Sequence, residues 1–287
     1  AEETIALCRQ IKGKFGELAK ERLREEWFKW AGKSIRPSAG LLFLEQTEWI
    51  EHFPELKALR ATPQDPEWHP EGDVFTHTCH CCDALAGLPE WRALEEEDRI
   101  VYMLGILGHD LGKPDTTFEK IRDGRTRIVS PGHAEVGVGL TESFLARIDA
   151  PLDIRGRVAP LVLHHMAHLD PISDRSVRRL AKRLEPETIE GLSLVIAADH
   201  MGRPPRPAKA PETIQRLQAR ARELSLEKAA PKPILLGRHL IEKGMQPGKA
   251  MGKLLERAFE AQLDGEFTDL EEGLQWLAAN GSLAETS

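Results

Sequence analysis

The chain contains 287 residues, of which 41% are hydrophobic and 30% are charged, and its formal net charge is −7. This composition is typical of a soluble globular protein that buries a core. No stretch approaches the roughly 20 apolar residues that span a bilayer, so we expect no membrane partner. The negative net charge argues against indiscriminate binding of nucleic acid.

The cysteine content indicates a reducing compartment, and we expect the cytoplasm. Three of the four cysteines, Cys79, Cys81 and Cys82, crowd one helical turn, so they do not form a disulfide framework. A structural zinc site there would need a second ligand pair at a set spacing, which the sequence does not offer. Small buried thiols are the default interpretation. The N-terminus also lacks the basic and apolar regions of a signal peptide.

The first part of the chain predicts helices followed by a connector. Helix-forming residues abound and β-branched runs are scarce, so the sequence predicts an all-α fold. Apolar side chains recur at helical spacing in residues 17–29 and 37–49, and a proline-rich connector follows over residues 63–72. We place a domain boundary near residue 65, which gives an N-terminal helical segment over residues 1–65.

The middle of the chain predicts a helical domain over residues 66–205. Asp73 is the expected N-cap of a helix that carries His77 on its apolar face. Asp98 is the expected cap of the next helix, over residues 99–109, whose apolar run ends at Gly112 and Pro114.

The remaining elements include one segment of uncertain type. Residues 116–129 are polar, with a turn signal at Asp123-Gly124, and predict a small hairpin or a loop. A proline-rich stretch near residue 205 leads to a C-terminal helical segment over residues 206–287. Further helices are expected over residues 133–147, 154–165, 174–184 and 187–200.

The most informative pattern is His109-Asp110, which ends an apolar helix. Imidazole nitrogens and carboxylate oxygens are ligands that divalent ions prefer, and this set accepts Mg, Mn, Ni, Co, Fe or Zn. Asp199 also follows an apolar run, where a carboxylate is costly to bury without a cation or hydrogen bonds. A lone histidine such as His77 would more often be a hydrogen-bonded core residue. Together, however, the four side chains can hold one ion and leave positions for water and substrate.

Two further histidines raise the question of a second ion. His133 and His164 offer imidazoles for it, and Asp110 could then bridge the two ions. The alternative is one ion, with His133 and His164 contacting a substrate phosphate. His165 is the weaker candidate, since adjacent residues on a helix point about 100° apart. The sequence leaves the choice between one and two ions open.

Two basic residues are candidates for contact with phosphate. Lys113, three residues after Asp110, is placed to offset charge on a phosphate oxygen, although a solvated lysine at a helix end is the alternative. Arg203 is a weaker candidate of the same kind. The sequence has no Gly-x-Ser-x-Gly elbow and no phosphate-binding glycine loop, so metal-activated water is the expected nucleophile. Asp110 and Lys113 are therefore the expected catalytic residues.

The series His77, His109-Asp110 and Asp199 resembles the signature of the HD-domain metal-dependent phosphohydrolases. His133 and His164 are similar to the extra ligands of members that bind two ions. Longer stretches resemble the C-terminal half of bacterial CCA-adding tRNA nucleotidyltransferases, namely residues 36–40, 53–56, 64–78, 198–203 and 261–267. The resemblance implies an HD-domain helical core with flanking N- and C-terminal helical segments, of which the N-terminal one interacts with RNA.

The chain departs from that family in one respect. The family's nucleotidyl-transfer head carries a Gly-Gly or Gly-Ser pair and then an Asp-x-Asp. This sequence has no Asp-x-Asp, and its only Gly-Ser is Gly281-Ser282. We therefore expect a naturally headless homologue or a fragment of a longer protein, and no nucleotide addition by this chain alone.

Two classes of function follow. The resemblance implies hydrolysis of nucleotide or RNA-end phosphoesters, as a 2′,3′-cyclic phosphodiesterase, a 2′-nucleotidase or a phosphatase. An HD protein that hydrolyses a nucleotide second messenger or a nucleoside triphosphate would use the same site. The alternative is a binding module, the tRNA-binding body of a split or truncated enzyme whose separate nucleotidyltransferase head performs the chemistry. The binding module is supported by a basic helix face that comprises Arg175, Arg178, Arg179 and Lys182. Such faces are, however, usually only solvated.

Overall fold

A computed structural model describes residues 2–122 and 124–280 of the chain. These residues form a predominantly α-helical fold with one two-stranded antiparallel hairpin, which confirms the all-α prediction. Within these two stretches, no helix is both long enough and apolar enough to cross a membrane.

The helices that precede the hairpin in the described residues are α1 (Glu2–Ile11), α2 (Lys20–Lys33), α3 (Pro37–Gln46), α4 (Pro54–Ala58), α5 (Val74–Gly87), α6 (Pro89–Arg92), α7 (Glu96–Gly108) and α8 (Lys113–Thr116). The hairpin consists of β1 (Phe118–Arg122) and β2 (Arg125–Val129). The helices that follow it are α9 (His133–Arg147), α10 (Leu152–His164), α11 (Asp174–Leu184), α12 (Ile189–Met201), α13 (Glu212–Glu223), α14 (Gly237–Glu242), α15 (Lys249–Asp264) and α16 (Leu270–Asn280).

The polar segment 116–129 forms a hairpin and not a loop. Its strands pair in antiparallel register, with Phe118 opposite Val129. Gly124, which directly precedes β2, has a φ of 71°, a left-handed conformation that glycine adopts without steric cost. Asp123, the other half of the predicted turn, lies outside the described residues.

Two compact units divide the chain differently from the expected boundaries. The first unit comprises residues 1–170 and 190–216, and the second comprises residues 171–189 and 217–287. In the first unit α2 packs against α7, and α3 packs against α5, so the N-terminal helices share one core with the middle of the chain. The expected division into 1–65, 66–205 and 206–287 stays a prediction.

Helix α7 is the centre of the first unit. All nine residues from Ile100 to Gly108 are buried, as expected for a helix that is apolar on every side. The helix contacts α2, α5, α9 and α10. Because α7 runs through the core, the residues that follow it, His109 and Asp110, emerge in the interior. The helix starts at Glu96, with Asp98 in its first turn, so the predicted cap at Asp98 is wrong by several positions.

Helix α5 places His77 beside the end of α7. Asp73 caps α5 as predicted, since its side chain accepts a hydrogen bond of 2.8 Å from the Thr76 backbone N–H. Helix α5 packs against α7, and His77 faces that contact with its side chain completely buried.

The second unit has its own apolar core, and helix α11 packs against α15. The buried members of that core are Leu235, Leu240, Met251, Leu254, Ala258, Ala261, Phe267 and Leu277.

Candidate metal centre

Buried imidazoles and carboxylates that lie in, or directly follow, five helices converge in the first unit. His77 comes from α5, His109 and Asp110 directly follow α7, and Asp199 lies near the end of α12. His133 opens α9, and His165 directly follows α10; all six side chains are buried. They form two groups, His77 with Cys81, His109 and Asp199, and Asp110 with His133 and His165; the donor atoms of each group lie within 4.8 Å of one another.

Three of the imidazoles are oriented by the same local contact. The Nδ1 atoms of His109, His133 and His165 each lie 2.7 Å from a backbone carbonyl oxygen three residues earlier, at Ile106, Ser130 and Val162 respectively. A carbonyl oxygen only accepts, so each Nδ1 carries the proton and donates it. The Nε2 atoms therefore point into the site, which is the arrangement seen in metal-binding histidines.

His77 is oriented by a carboxylate. Its Nδ1 lies 2.7 Å from Glu71 Oε1 and 3.3 Å from the Gly202 carbonyl oxygen, and both of these atoms accept. Its Nε2 faces Asp199 Oδ1 at 3.1 Å and His109 Nε2 at 3.4 Å. Without a proton or a cation between them, these electron-rich atoms would repel one another.

Asp110 connects the two groups. Its Oδ2 lies 3.2 Å from His109 Nε2, and its Oδ1 lies 3.4 Å from His133 Nε2. His133 Nε2 is in turn 3.1 Å from His165 Nε2. The carboxylate is therefore placed to touch ions in both groups, or to orient both sets of imidazoles around one.

The pKa values of two histidines indicate a demand for positive charge. Burial alone would lower the pKa of His109, but the adjacent Asp110 carboxylate raises it to about 10. Burial also opposes protonation of His77, yet Cys81 and Asp199 raise its pKa well above the ordinary value. In the metal-free protein the neighbouring groups therefore favour the protonated form of both rings.

The other ionisable groups complete the electrostatic pattern. Burial opposes ionisation of Asp110, but His109 and Lys113 hold its pKa well below the usual range. In the same way Arg203 outweighs burial and lowers the pKa of Asp199. Burial, aided by His109, lowers the pKa of His165 to about 3, so this ring is neutral at neutral pH, the form that binds metals.

Lys113 and Arg203 both contact carboxylates of the site. Lys113 Nζ lies 2.7 Å from Asp110 Oδ2 and donates to Gln64 Oε1 at 2.7 Å. Arg203 donates to Asp199 Oδ1 at 2.6 Å, one helical turn along the chain. Both cations also line the cleft that leads to the buried groups, so the expected contact with a phosphate is sterically available to them.

The structure brings His165, and not His164, to the site. His164, the residue preferred from the sequence, is the last residue of α10, and His165 directly follows it. The role of His164 as a ligand stays a prediction. His165 is 2% exposed and meets His133, whereas His164 is only partly buried and belongs to neither group. His168 and His200 also line the cleft, and their Nε2 atoms lie 3.0 Å apart.

Sequence reasoning missed three residues beside His77. Glu71 Oε1 lies 2.9 Å from His69 Nδ1 as well as beside His77, and both residues come from the proline-rich connector. A connector gives no periodicity, so no sequence signal could place them. Cys81 did give a signal, because it lies one helical turn after His77 on the same face of α5.

The predicted basic face of α11 is partly neutralised. Arg175 and Arg179 contact the carboxylate of Asp264 on α15, at 2.9 and 2.5 Å. Arg178 donates to the Leu263 carbonyl oxygen at 3.1 Å, and Lys182 pairs with Glu185. The face is therefore a packing surface of the second unit, with less free positive charge than the sequence indicates.

Comparison with known proteins identifies relatives, although no family model matches the chain. The chain is 34% identical over 212 residues to a multifunctional CCA protein of Xanthomonas campestris pv. campestris. That alignment covers 71% of this chain and 48% of the relative. It is 30% identical over 261 residues to the CC-adding tRNA nucleotidyltransferase of Thermus thermophilus, and that alignment covers 90% of this chain and 56% of the relative. A multifunctional CCA protein of Halorhodospira halophila is 31% identical over 219 residues, and the alignment covers 72% of this chain and 49% of the relative.

The chain thus spans about half the length of the curated relatives it matches. These alignments confirm the resemblance that the residues alone indicated.

Proposed function

We propose that this chain, which is homologous to the C-terminal half of the CCA-adding tRNA nucleotidyltransferases, is a metal-dependent phosphohydrolase of nucleotide or RNA-end phosphoesters. The reaction would be of the 2′,3′-cyclic phosphodiesterase, 2′-nucleotidase or phosphatase type. The single observation that carries the proposal is the convergence of four imidazole Nε2 atoms on Asp110 and Asp199, since their Nδ1 protons are committed elsewhere.

The donor set fits one or two divalent ions. His77, His109 and Asp199 would hold the first, His133 and His165 would hold a second, and Asp110 would contact both. When bound, a divalent ion supplies a Lewis acid for the phosphoryl oxygen and lowers the pKa of water. The residues permit Mn, Fe, Co, Ni, Zn or Mg.

The protein's own residues orient the reacting phosphate. Lys113 Nζ sits beside Asp110 at the inner end of the cleft, where an ammonium group can offset charge on a phosphate oxygen. Arg203 holds Asp199 in place and presents its guanidinium to the same cleft. Asp110 and Lys113 are therefore the proposed catalytic pair, and Arg203 assists as a positioning residue.

The mouth of the cleft suits a nucleoside. The cleft encloses about 550 Å³, within the usual range for small-molecule sites. Trp68 lines it with 54% of its surface exposed, and the Arg206 guanidinium lies 5.5 Å from its ring centroid. An exposed aromatic ring beside a phosphate site offers a platform on which a base can stack, a contact that contributes about 1–3 kcal/mol per base.

The test is hydrolysis by metal-stripped protein resupplied with Mg, Mn, Ni, Co or Zn. The substrates are 2′,3′-cyclic AMP, 2′-AMP and p-nitrophenyl phosphate. We expect metal-dependent turnover that is lost in Asp110→Ala and retained in the control Asp115→Ala, which alters an exposed carboxylate of α8 outside the metal groups. Equal turnover by Asp110→Ala and the unmodified protein would reject the proposal.

A second function is favoured by the names of the relatives. One of them is named a tRNA nucleotidyltransferase, so this chain is also a candidate tRNA-binding body that works with a separate nucleotidyltransferase head. Such a body would bind tRNA with a strong salt dependence, because contacts to phosphates release counterions. The two functions are compatible, since a hydrolase can hold its RNA substrate on a separate surface.

The α11 face provides a specific test of tRNA binding. Asp264→Asn removes the carboxylate that neutralises Arg175 and Arg179. If this face binds RNA, tRNA affinity should rise in Asp264→Asn and fall in Arg175→Ala. Unchanged tRNA affinity in both variants would exclude the face, and no measurable affinity for tRNA at low salt would exclude the binding body.

A further inference from the structure

We infer that Cys81 supplies a thiolate ligand to the group that contains His77, His109 and Asp199. This group would then bind a thiophilic divalent ion such as zinc in preference to magnesium. The inference rests on the proposed metal centre, and it specifies the class of ion that this group of four residues prefers. It concerns a residue that the HD pattern of His77, His109-Asp110 and Asp199 does not include.

The position of Cys81 carries the inference. Its Sγ lies 3.3 Å from His77 Nε2, the nitrogen that faces Asp199 and His109. One donor atom from each of these four residues lies within 4.8 Å of the other three, and all four residues are buried. The thiol is thus one corner of a compact set of two imidazoles, one carboxylate and one sulfur.

The packing holds the sulfur in that corner. A Cβ at Gly202 would collide with Cys81 Sγ, so the absence of a side chain at Gly202 leaves room for the thiol. Cys79 and Cys82, on the same helix, are also buried but belong to neither metal group. They are therefore suitable controls, since they are buried thiols of the same helix outside the metal groups.

A second observation points to a cation at the same place. Asp110 Oδ2 is buried and, among the described residues, accepts no hydrogen bond, although Lys113 Nζ approaches it at 2.7 Å. This oxygen lies 3.2 Å from His109 Nε2 and 3.7 Å from His77 Nε2. The oxygen therefore has a cationic neighbour but no hydrogen bond of good geometry, and a positive ion among it and the two imidazole nitrogens would satisfy it.

The sulfur decides which ion. Thiolate is a soft ligand that favours zinc and related ions, whereas magnesium demands an octahedral shell of oxygens. Binding would transfer the thiol proton to solvent and form a sulfur–metal bond, with no change of oxidation state. The competing arrangement is a neutral thiol that donates to the Asp199 carbonyl oxygen, which lies 3.7 Å away.

The experiment is X-ray absorption of the metal-stripped chain loaded with one equivalent of Zn²⁺. We expect a sulfur shell at about 2.3 Å beside nitrogen and oxygen ligands at about 2.0–2.2 Å. Cys81→Ser should lose the sulfur shell, and Cys82→Ala should keep it. Zinc affinity should fall in Cys81→Ser by at least about tenfold, the lower limit found even for outer-shell partners, while Mg²⁺ affinity stays unchanged.

The spectrum of the unmodified protein decides the matter even if Cys81→Ser does not fold. Bound zinc with nitrogen and oxygen neighbours only would overturn the thiolate assignment and leave the proposed metal centre standing. No bound zinc, with no bound manganese either, would overturn both. A sulfur-to-metal charge-transfer band in the Co²⁺-loaded protein, absent from Cys81→Ser, would support the assignment independently.

Discussion

His133 Nε2 and His165 Nε2 face each other at 3.1 Å, and each ring donates its Nδ1 proton to a backbone carbonyl oxygen. Two lone pairs at this distance repel unless a proton or a metal ion lies between them. Asp110 Oδ1, 3.4 Å from His133 Nε2, completes a set of three donors. This pair of rings defines where a second ion would bind.

The first prediction separates adjacent histidines. His165→Ala should abolish uptake of the second ion, because it removes one of three donors, whereas His164→Ala should bind metal like the unmodified protein. Isothermal titration with Mn²⁺ measures both. Equal loss in the two variants, or loss only in His164→Ala, would contradict the geometry.

The second prediction concerns the carboxylate behind His77. Glu71→Gln keeps the size of the side chain but weakens the hydrogen bond that orients the imidazole. Metal affinity at the first group should fall about 10–100-fold, as for other outer-shell partners of metal-binding histidines. Glu67→Gln, in the same connector but half exposed, is the control and should leave metal affinity unchanged. A Glu71→Gln variant with full affinity would show that His77 needs no such partner.

The third prediction concerns close packing beneath the site. A Cβ at Gly112 would collide with the His133 carbonyl oxygen and the Gly137 nitrogen. Gly112→Ala should therefore destabilise the protein by about 1–3 kcal/mol or more, the cost of overpacking. Gly139→Ala, in the middle of α9 where a Cβ meets nothing within 4 Å, should stabilise it by up to about 1 kcal/mol. Urea denaturation compares the two, and a neutral Gly112→Ala would refute the contact.

The fourth prediction is a pH dependence of the metal-free protein. The folded-state pKa of His109 is raised to about 10, against an ordinary value near 6.5. A raised pKa contributes stability that is complete below about pH 6.5 and is lost as the pH rises through 10. The free energy of unfolding should thus fall between pH 7 and 10 in the metal-free protein, and more steeply than in His109→Gln. Parallel slopes for the two proteins would be evidence against a charged His109.

The sequence sufficed where chemistry and periodicity agreed. His77, His109-Asp110 and Asp199 each interrupt or end an apolar helical run, so their burial, and hence their cost without a partner, could be predicted. Which of His164 and His165 points inward could not be predicted, because the answer depends on the residue at which α10 ends. One residue of difference in a helix boundary reverses that choice.

Contacts between residues that are distant in the chain could not be predicted from the sequence. The basic face of α11 looked free because its partner, Asp264, lies 85 residues beyond Arg179. Glu71 looked like part of a connector because only the tertiary fold brings it under His77. In both places a local pattern was identified correctly, but the neighbour that determines its role comes from another element.

The most direct test of the account is the metal content of the folded chain. Metal-stripped protein would be titrated with Zn²⁺ and Mn²⁺ and weighed by native mass spectrometry, with Asp110→Asn in parallel and circular dichroism to confirm that both are folded. We expect at least one tightly bound ion per chain, with uptake reduced in Asp110→Asn because that carboxylate contacts both groups. A folded, unmodified chain that retains neither ion would contradict it.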